Sequence, residues 1–263
     1  MASRWALRVA AILGFLFLYI PIGVIVLYAF NDQRVQAWPI AAYSTRWFDA
    51  AIANDSVKGA LALSVGIALG ATVIALALGS LAAFAVHRYR FFGRETVSFA
   101  LVLPIALPGI VTGMALNSTI NTAGIGFSIL TVIVGHATFC IVVVYNNVIA
   151  RLRRYSRSIE EASMDLGADT WQTFRHVTFP VIRTALLAGG LLAFALSFDE
   201  IIVTTFTAGT QETLPIWILS NLSRPNQRPI VNVVAVVLIL LSAVPVYLAS
   251  RLSGSTGVGG SRT

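Results

Sequence analysis

The stretch Glu161-Ala162-Ser163-Met164-Asp165-Leu166-Gly167 is a polar, amphipathic island in an otherwise apolar chain, and Val177-Thr178-Phe179-Pro180 follows it after nine residues. The whole chain is 57% hydrophobic and 11% charged, whereas soluble domains carry about 25% charged residues. So little polar surface predicts a single integral membrane domain. A soluble segment held between membrane spans is then expected to project from the bilayer and to meet a water-soluble partner.

Six stretches are long and apolar enough to cross the ~30 Å hydrocarbon core as helices. They are residues 9–30, 59–86, 97–116, 127–149, 185–207 and 230–250. Pro104 and Pro108 predict a kink or break in the third span, because proline lacks the backbone N–H that a helix needs. We therefore predict an all-α membrane domain with six transmembrane helices over residues 1–252, and a disordered Gly/Ser-rich tail over residues 253–263.

The Lys and Arg residues indicate the orientation of these spans. Thirteen of them lie on one set of span flanks and five on the other. The positive-inside rule places the richer set in the cytoplasm, so both termini are predicted to be cytoplasmic. This asymmetry also explains the net charge of +7 without a nucleic-acid partner. The longest cytoplasmic segment is then the loop 150–184, which contains the polar island.

The loop is expected to fold into a compact knob. Ser158 and Glu161 have the spacing of a helix capping box, which predicts a short helix over residues 159–166. Gly167 would end this helix, because glycine readily adopts a left-handed conformation. A second short helix, beginning two or three residues later, would end before Pro180. Local chemistry alone is equally compatible with a well-capped connector.

The complete spacing resembles a family signature. Glu-Ala-Ser, three residues, Gly167, nine residues and Val-x-Phe-Pro is similar to the EAA loop of permease subunits in binding-protein-dependent ABC importers. The family pattern is Glu-Ala-Ala, three residues, Gly, nine residues and Ile-x-Leu-Pro. The departures at Ser163, Val177 and Phe179 are mild. The resemblance implies the type I, MetI-like permease fold.

The same resemblance implies that residues 160–168 form a coupling helix seated in a groove of an ATP-hydrolysing subunit. Small Ala162 and Ser163 would permit close approach, whereas Glu161 and Asp165 would pair with basic groups of that subunit. The positions expected to couple to the ATPase are Glu161, Ala162, Ser163, Asp165, Leu166 and Gly167.

An acidic pair, Asp199 and Glu200, interrupts the fifth predicted span. Charged residues at this depth are energetically costly and usually face a protein interior or a water-filled path. No Lys or Arg lies in the middle of any predicted span, which favours a cationic ligand over a structural partner from another subunit. On an unbroken helix, we expect Glu200 to face a polar cavity and Asp199 to lie on its flank. The stripe facing that cavity would contain Ser197, Glu200, Thr204 and Thr207.

Residues 196–206, Leu-Ser-Phe-Asp-Glu-Ile-Ile-Val-Thr-Thr-Phe, resemble the fifth-span segment of permease subunits of spermidine/putrescine importers, the PotC/YdcV-like group. The similarity extends to residues 103–104, 108–113, 144–152 and 214–215. It implies a polyamine substrate, whose ammonium groups suit carboxylates and aromatic faces. The residues expected to contact that substrate are Asp199, Glu200, Phe198, Ser197 and Thr204.

A permease subunit of this kind would lie in lipid in the bacterial cytoplasmic (inner) membrane and pair with a second, related permease. Two ATPase subunits would drive it, and an extracytoplasmic solute-binding protein would deliver substrate, for which segment 31–58 is a candidate receiver. The glycine-rich tail lacks the lysine of a phosphate loop, so ATP is expected on the partner subunits alone. We expect no catalytic residue, cofactor or metal site in this chain.

Three alternatives remain at this stage. The chain could serve an ABC importer for another solute, such as ferric ion or an oxyanion. It could be an ion-coupled secondary transporter that uses Asp199 and Glu200 as a proton relay, or a membrane scaffold without transport. The EAA spacing argues against the secondary transporter, and a scaffold leaves the acidic pair unexplained.

Overall fold

The computed structural model describes residues 2–107 and 109–254 as a succession of helices. The helices are α1 (Ala2–Ala29), α2 (Arg46–Ala53), α3 (Asp55–Arg88), α4 (Arg94–Ala106), α5 (Gly109–Thr122), α6 (Ile129–Arg153), α7 (Ser158–Asp165), α8 (Thr170–Thr173), α9 (Phe179–Phe198), α10 (Ile202–Thr207), α11 (Leu214–Leu222) and α12 (Arg228–Gly254). A π-helical segment, Phe174–Thr178, joins α8 to α9. Within the described ranges the chain contains no β-strand, only an isolated bridge between Asn31 and Tyr43. The all-α prediction is confirmed.

Five helices in the described part of the chain are long and apolar enough to cross a membrane, and the bent pair α4–α5 makes a sixth crossing if it counts as one span. The five are α1, α3, α6, the helical run Thr170–Phe198 and α12. This agrees with the six predicted spans. The predicted tail begins within α12, which continues to Gly254, and residues 255–263 lie outside the described residues.

The third span is broken, as the sequence predicts, and α4 and α5 differ in direction by 103°. Pro104 lies inside α4 without ending it. The helix ends instead at Ala106. Its C-cap, Leu107, has an extended backbone (φ −80°, ψ 144°), the conformation favoured in front of a proline. The following residue, Pro108, lies outside the described residues.

The chain divides into two compact units. The first contains residues up to Leu61 together with Leu214–Leu240. In it, the most apolar part of α1 contains no buried residue, which a membrane helix tolerates because lipid tails are as apolar as its side chains. The indole nitrogen of the buried Trp47 donates to the Asn31 carbonyl over 2.8 Å and fixes the start of the segment after α1.

The second unit contains Ala62–Thr213 and the residues from Leu241 onward. Its core forms where α3, α6 and α9 pack together, with small side chains at many contacts. Small residues let membrane helices approach closely, which strengthens their van der Waals contact. The fully buried members include Ala75, Ala83, Cys140, Val144, Val148 and Ala193. Both candidate sites below are attached to this core.

The fifth span differs from its prediction at both ends. The expected second short helix does not stop before Pro180, because the π-helical segment carries the chain directly into α9. A π turn adds one residue to a helical turn and lets the helix continue past a proline that lacks an N–H. At the other end, α9 stops at Phe198 and α10 starts at Ile202. The expectation of one unbroken helix over 185–207 is therefore wrong.

Candidate functional sites

The first site is the knob formed by α7, Gly167 and α8. The α7 helix ends in a Schellman motif, in which Ala168 N–H donates to Ser163 O (3.1 Å) and Gly167 N–H donates to Met164 O (2.9 Å). Gly167 has φ +92°, a left-handed conformation that a side chain disfavours. The predicted glycine corner is confirmed.

The predicted capping box at the start of α7 is wrong. The helix begins at Ser158 itself, so that residue cannot act as the N-cap, and Arg157 in that position makes no side-chain cap bond. Glu161 instead pairs with Arg157 at 3.4 Å, one helical turn away. A capping box forms at α8, where Asp169 and Gln172 exchange side-chain and backbone bonds of 2.8 and 3.0 Å.

The knob presents a mixed charged and apolar face. Leu166 is 90% exposed, and Glu161, Ala162, Asp165 and Gly167 are exposed around it. Among the predicted coupling positions, Ser163 differs because it is partly buried and its hydroxyl lies 3.2 Å from the Thr173 hydroxyl within the knob. Leu166 thus offers an apolar contact, and Glu161 and Asp165 offer charges, to a partner protein.

Glu160, which the sequence reasoning did not select, anchors the knob. It is 9% exposed; one carboxylate oxygen lies 2.8 Å from Arg88 Nη2 at the end of α3, and the other accepts a 2.6 Å bond from the Thr178 hydroxyl. Burial and the Glu160 charge raise the pKa of Tyr155, so this phenol stays neutral. The sequence alone does not indicate which of two adjacent glutamates in a loop is buried.

The second site is the break between α9 and α10, where the acidic pair lies. Asp199 caps the C-terminus of α9 and is exposed. Glu200 is partly buried, and its Oε1 accepts a 2.9 Å bond from Val203 N–H in the first turn of α10. A carboxylate near a helix N-terminus is favourable. Asp199 is thus the more exposed of the two acids, whereas Glu200 is held at the start of α10.

The other predicted substrate residues lie in the protein interior. Ser197, Phe198 and Thr204 are all buried, and Phe198 stacks on Phe194 with ring centroids 5.7 Å apart. The hydroxyls of Ser197 and Thr204 lie 2.7 and 2.8 Å from the two ring nitrogens of His136. Of the five predicted residues, only the two acids are accessible in this conformation.

Three further contacts hold α10, and none is visible in the local sequence. Asn117 on α5 donates a 2.6 Å bond to Phe206 O, and Thr131 on α6 donates a 2.8 Å bond to Thr207 O. The Phe206 ring packs so closely on α5 that a Cβ added at Gly113 would lie 2.5 Å from its Cδ2. The acidic break is thus supported from α5 and α6.

Curated proteins with similar sequences cover almost the entire chain. The putrescine transport system permease protein PotI of Escherichia coli (strain K12) is 35% identical over 262 residues, which cover 95% of this chain and 92% of PotI. The spermidine/putrescine transport system permease protein PotC of Haemophilus influenzae is 33% identical over 254 residues, which cover 95% of this chain and 98% of PotC.

A solved structure shares the fold at low sequence identity. A chain of the bacterial alginate ABC transporter, crystallised with an alginate pentasaccharide-bound periplasmic protein, superposes with a TM-score of 0.70 at 15% identity, covering 98% of this chain and 96% of the other.

Residues 75–255 match the family described as binding-protein-dependent transport system inner membrane component. The chain therefore belongs to this family of inner-membrane permeases of ABC importers, as the EAA spacing predicts.

Proposed function

We propose that this chain is the permease subunit of an ATP-driven importer that carries polyamines such as putrescine and spermidine into the cell. The observation that carries the proposal is the acidic break, where Asp199 and Glu200 lie side by side in an otherwise apolar span. Within the described residues, neither carboxylate forms an ion pair with Lys or Arg. Relatives named for putrescine and spermidine transport support the same substrate class.

The charge at the break selects for cations. Two carboxylates without a counter-ion attract an ammonium group and repel an oxyanion, and the effect is strong away from bulk water. Asp199 is exposed and would meet the substrate first, whereas Glu200 is fixed to the N-terminus of α10. A linear di- or triamine can engage the two acids through separate ammonium groups.

We further propose that the exposed face of the knob docks in a groove of a cytoplasmic ATPase. Glu161 and Asp165 would pair with basic groups there, and Leu166 would fill an apolar pocket. The complete importer would contain this chain, a second related permease, two ATPase subunits and an extracytoplasmic solute-binding protein that meets segment 31–58. Both termini of this chain would be cytoplasmic. Closure of the ATPases on ATP would then move the knob and, through it, the spans.

Uptake of radiolabelled putrescine and spermidine tests this function, in cells that lack the gene and in cells with it restored. We expect uptake that requires the gene, fails when ATP is depleted and continues when the membrane is depolarised. Loss of uptake on depolarisation alone would support a secondary transporter. Gene-dependent uptake of ferric ion or an oxyanion, without polyamine uptake, would assign the importer to that solute.

A further inference from the structure

A buried histidine spans the acidic break. His136 is 1% exposed and lies on α6 between the last turn of α9 and the first turn of α10. Its Nδ1 is 2.7 Å from Ser197 Oγ, and its Nε2 is 2.8 Å from Thr204 Oγ1. One ring therefore holds one residue on each side of the non-helical segment that carries Asp199 and Glu200.

The hydrogen-bond directions follow from the available protons. The Thr204 hydroxyl donates its one proton to the Glu200 carbonyl over 2.8 Å, so it can only accept from the ring. Nε2 must then carry a hydrogen, and in a neutral ring Nδ1 accepts from the Ser197 hydroxyl. No carboxylate contacts the ring within the described residues, and an unpaired buried cation would be strongly disfavoured. His136 is therefore neutral, with its proton on Nε2.

We propose that His136 is a positioning residue for substrate, acting through a relay of hydrogen bonds from Ser197 to His136, Thr204 and the Glu200 carbonyl. The relay fixes the distance between the two helix ends and so the separation of the Asp199 and Glu200 carboxylates. The effect on transport rests on the proposed polyamine function, whereas the effect on the geometry of the break does not. Nothing in this role requires contact between His136 and substrate.

Hydrogen bonding and packing require different properties of the side chain at position 136. A phenylalanine would fill the imidazole volume and slightly exceed it, but it would leave the two buried hydroxyls without their partner. A glutamine offers one acceptor and one donor on a single group, as the neutral imidazole does. His136→Phe and His136→Gln therefore separate hydrogen bonding from packing.

The first measurement is amide hydrogen exchange over residues 199–206 in the assembled importer without substrate. The amides of Val203 and Thr205 report directly, because they donate to Glu200 Oε1 and to the Ile201 carbonyl. We expect exchange to be at least about tenfold faster in His136→Phe, because the loss of even one hydrogen bond of ordinary net strength corresponds to about that factor. We expect near-native exchange in His136→Gln. Native exchange in the phenylalanine variant would overturn the proposal.

The second measurement is a double-mutant cycle on polyamine uptake. If His136 acts by placing the carboxylates, His136→Phe should lower uptake about tenfold in the native background and much less in an Asp199→Asn background. An equal reduction in both backgrounds would indicate packing alone and would overturn the proposal. If the native importer carries no polyamine, the proposed function fails, and the exchange measurement still decides whether His136 fixes the break.

A second variant pair covers the case in which His136→Phe does not assemble. Thr204→Val keeps the side-chain shape and removes the hydroxyl between the ring and Glu200, while Thr204→Ser retains that hydroxyl. We expect faster amide exchange at Val203 in Thr204→Val and not in Thr204→Ser. The same rate in both would overturn the relay.

Discussion

The Oε2 atom of Glu160 lies 2.8 Å from Nη2 of Arg88, across a sequence separation of 72 residues. The same carboxylate accepts a 2.6 Å bond from the Thr178 hydroxyl. Glu160 thus joins the knob to the end of α3 and to the π-helical segment that continues into α9. One side chain of the knob therefore contacts two membrane spans, whereas Glu161 beside it is exposed.

Substituting Glu160 should loosen the attachment of the knob. Glu160→Gln retains an acceptor for Thr178 but loses the charge that pairs with Arg88. Hydrogen bonds to charged groups contribute about 1.5–3 kcal/mol, and we expect a loss near the lower end because Arg88 is one-third exposed. Thermal unfolding of the purified complex measures this change. Glu161→Gln is the matched control, since its exposed pair with Arg157 should contribute less than about 1 kcal/mol.

The exposed coupling face should affect energy transfer without affecting stability. Glu161→Ala and Leu166→Ala remove a charge and an apolar contact from the surface proposed to dock on the ATPase. We expect uptake to fall at least about tenfold while the ATPase subunits continue to hydrolyse ATP. The ratio of solute imported to ATP hydrolysed in proteoliposomes measures this uncoupling. Proportional loss of both activities would contradict a docking role for this face.

The corner at Gly167 should not accept a side chain without strain. An added Cβ would meet no atom within 4 Å, so the entire penalty of Gly167→Ala comes from its φ of +92° and should be about 1–2 kcal/mol. Asparagine tolerates left-handed backbone better, so Gly167→Asn should be milder. Gly66→Ala, also in open space but within α3, should leave stability unchanged or slightly raised. Hydrogen exchange of the α7 amides distinguishes these cases.

The knob was predictable from the sequence because its signals are local. Gly167 marks a left-handed cap whatever surrounds it, and the EAA spacing lies within twenty residues. The acidic break was not predictable, because periodicity assumes a continuous helix. It cannot detect that Glu200 caps the start of a new helix, α10. His136 and Glu160 were missed for a related reason. His136 lies 61 and 68 residues from its partners Ser197 and Thr204, and Glu160 lies 72 residues from Arg88. Only the packing of the helices brings these side chains together.

Close packing of α5 on α10 should make Gly113 sensitive to enlargement. A Cβ at this position would lie 2.5 Å from Cδ2 and 3.3 Å from Cβ of Phe206, so rotation of the ring alone cannot relieve the contact. We expect Gly113→Ala to displace α10, speed amide exchange at Thr205 and lower uptake. Phe206→Leu should partly restore both in the Gly113→Ala background. If the double variant behaves like Gly113→Ala alone, steric contact with Phe206 is not the cause.

Removing the charge of either acid at the break should lower uptake alone, whereas removing the Glu200 side chain should also lower stability. Asp199 is exposed and makes no ion pair within the described residues, so Asp199→Asn should lower polyamine uptake about tenfold without changing stability. Glu200→Gln retains an oxygen that can accept from Val203 N–H and should act in the same way. Glu200→Ala also removes the cap of α10 and should destabilise that helix by about 0.5–2 kcal/mol.

Uptake rates and thermal unfolding, measured on the same preparations, separate these effects. The double variant Asp199→Asn with Glu200→Gln should fold normally and transport least of all. Unchanged polyamine uptake in that variant would show that the carboxylates do not contact the substrate. If Glu200→Ala were as stable as Glu200→Gln, the bond to Val203 would contribute nothing, and the break would have to be maintained by His136 and the other contacts from α5 and α6.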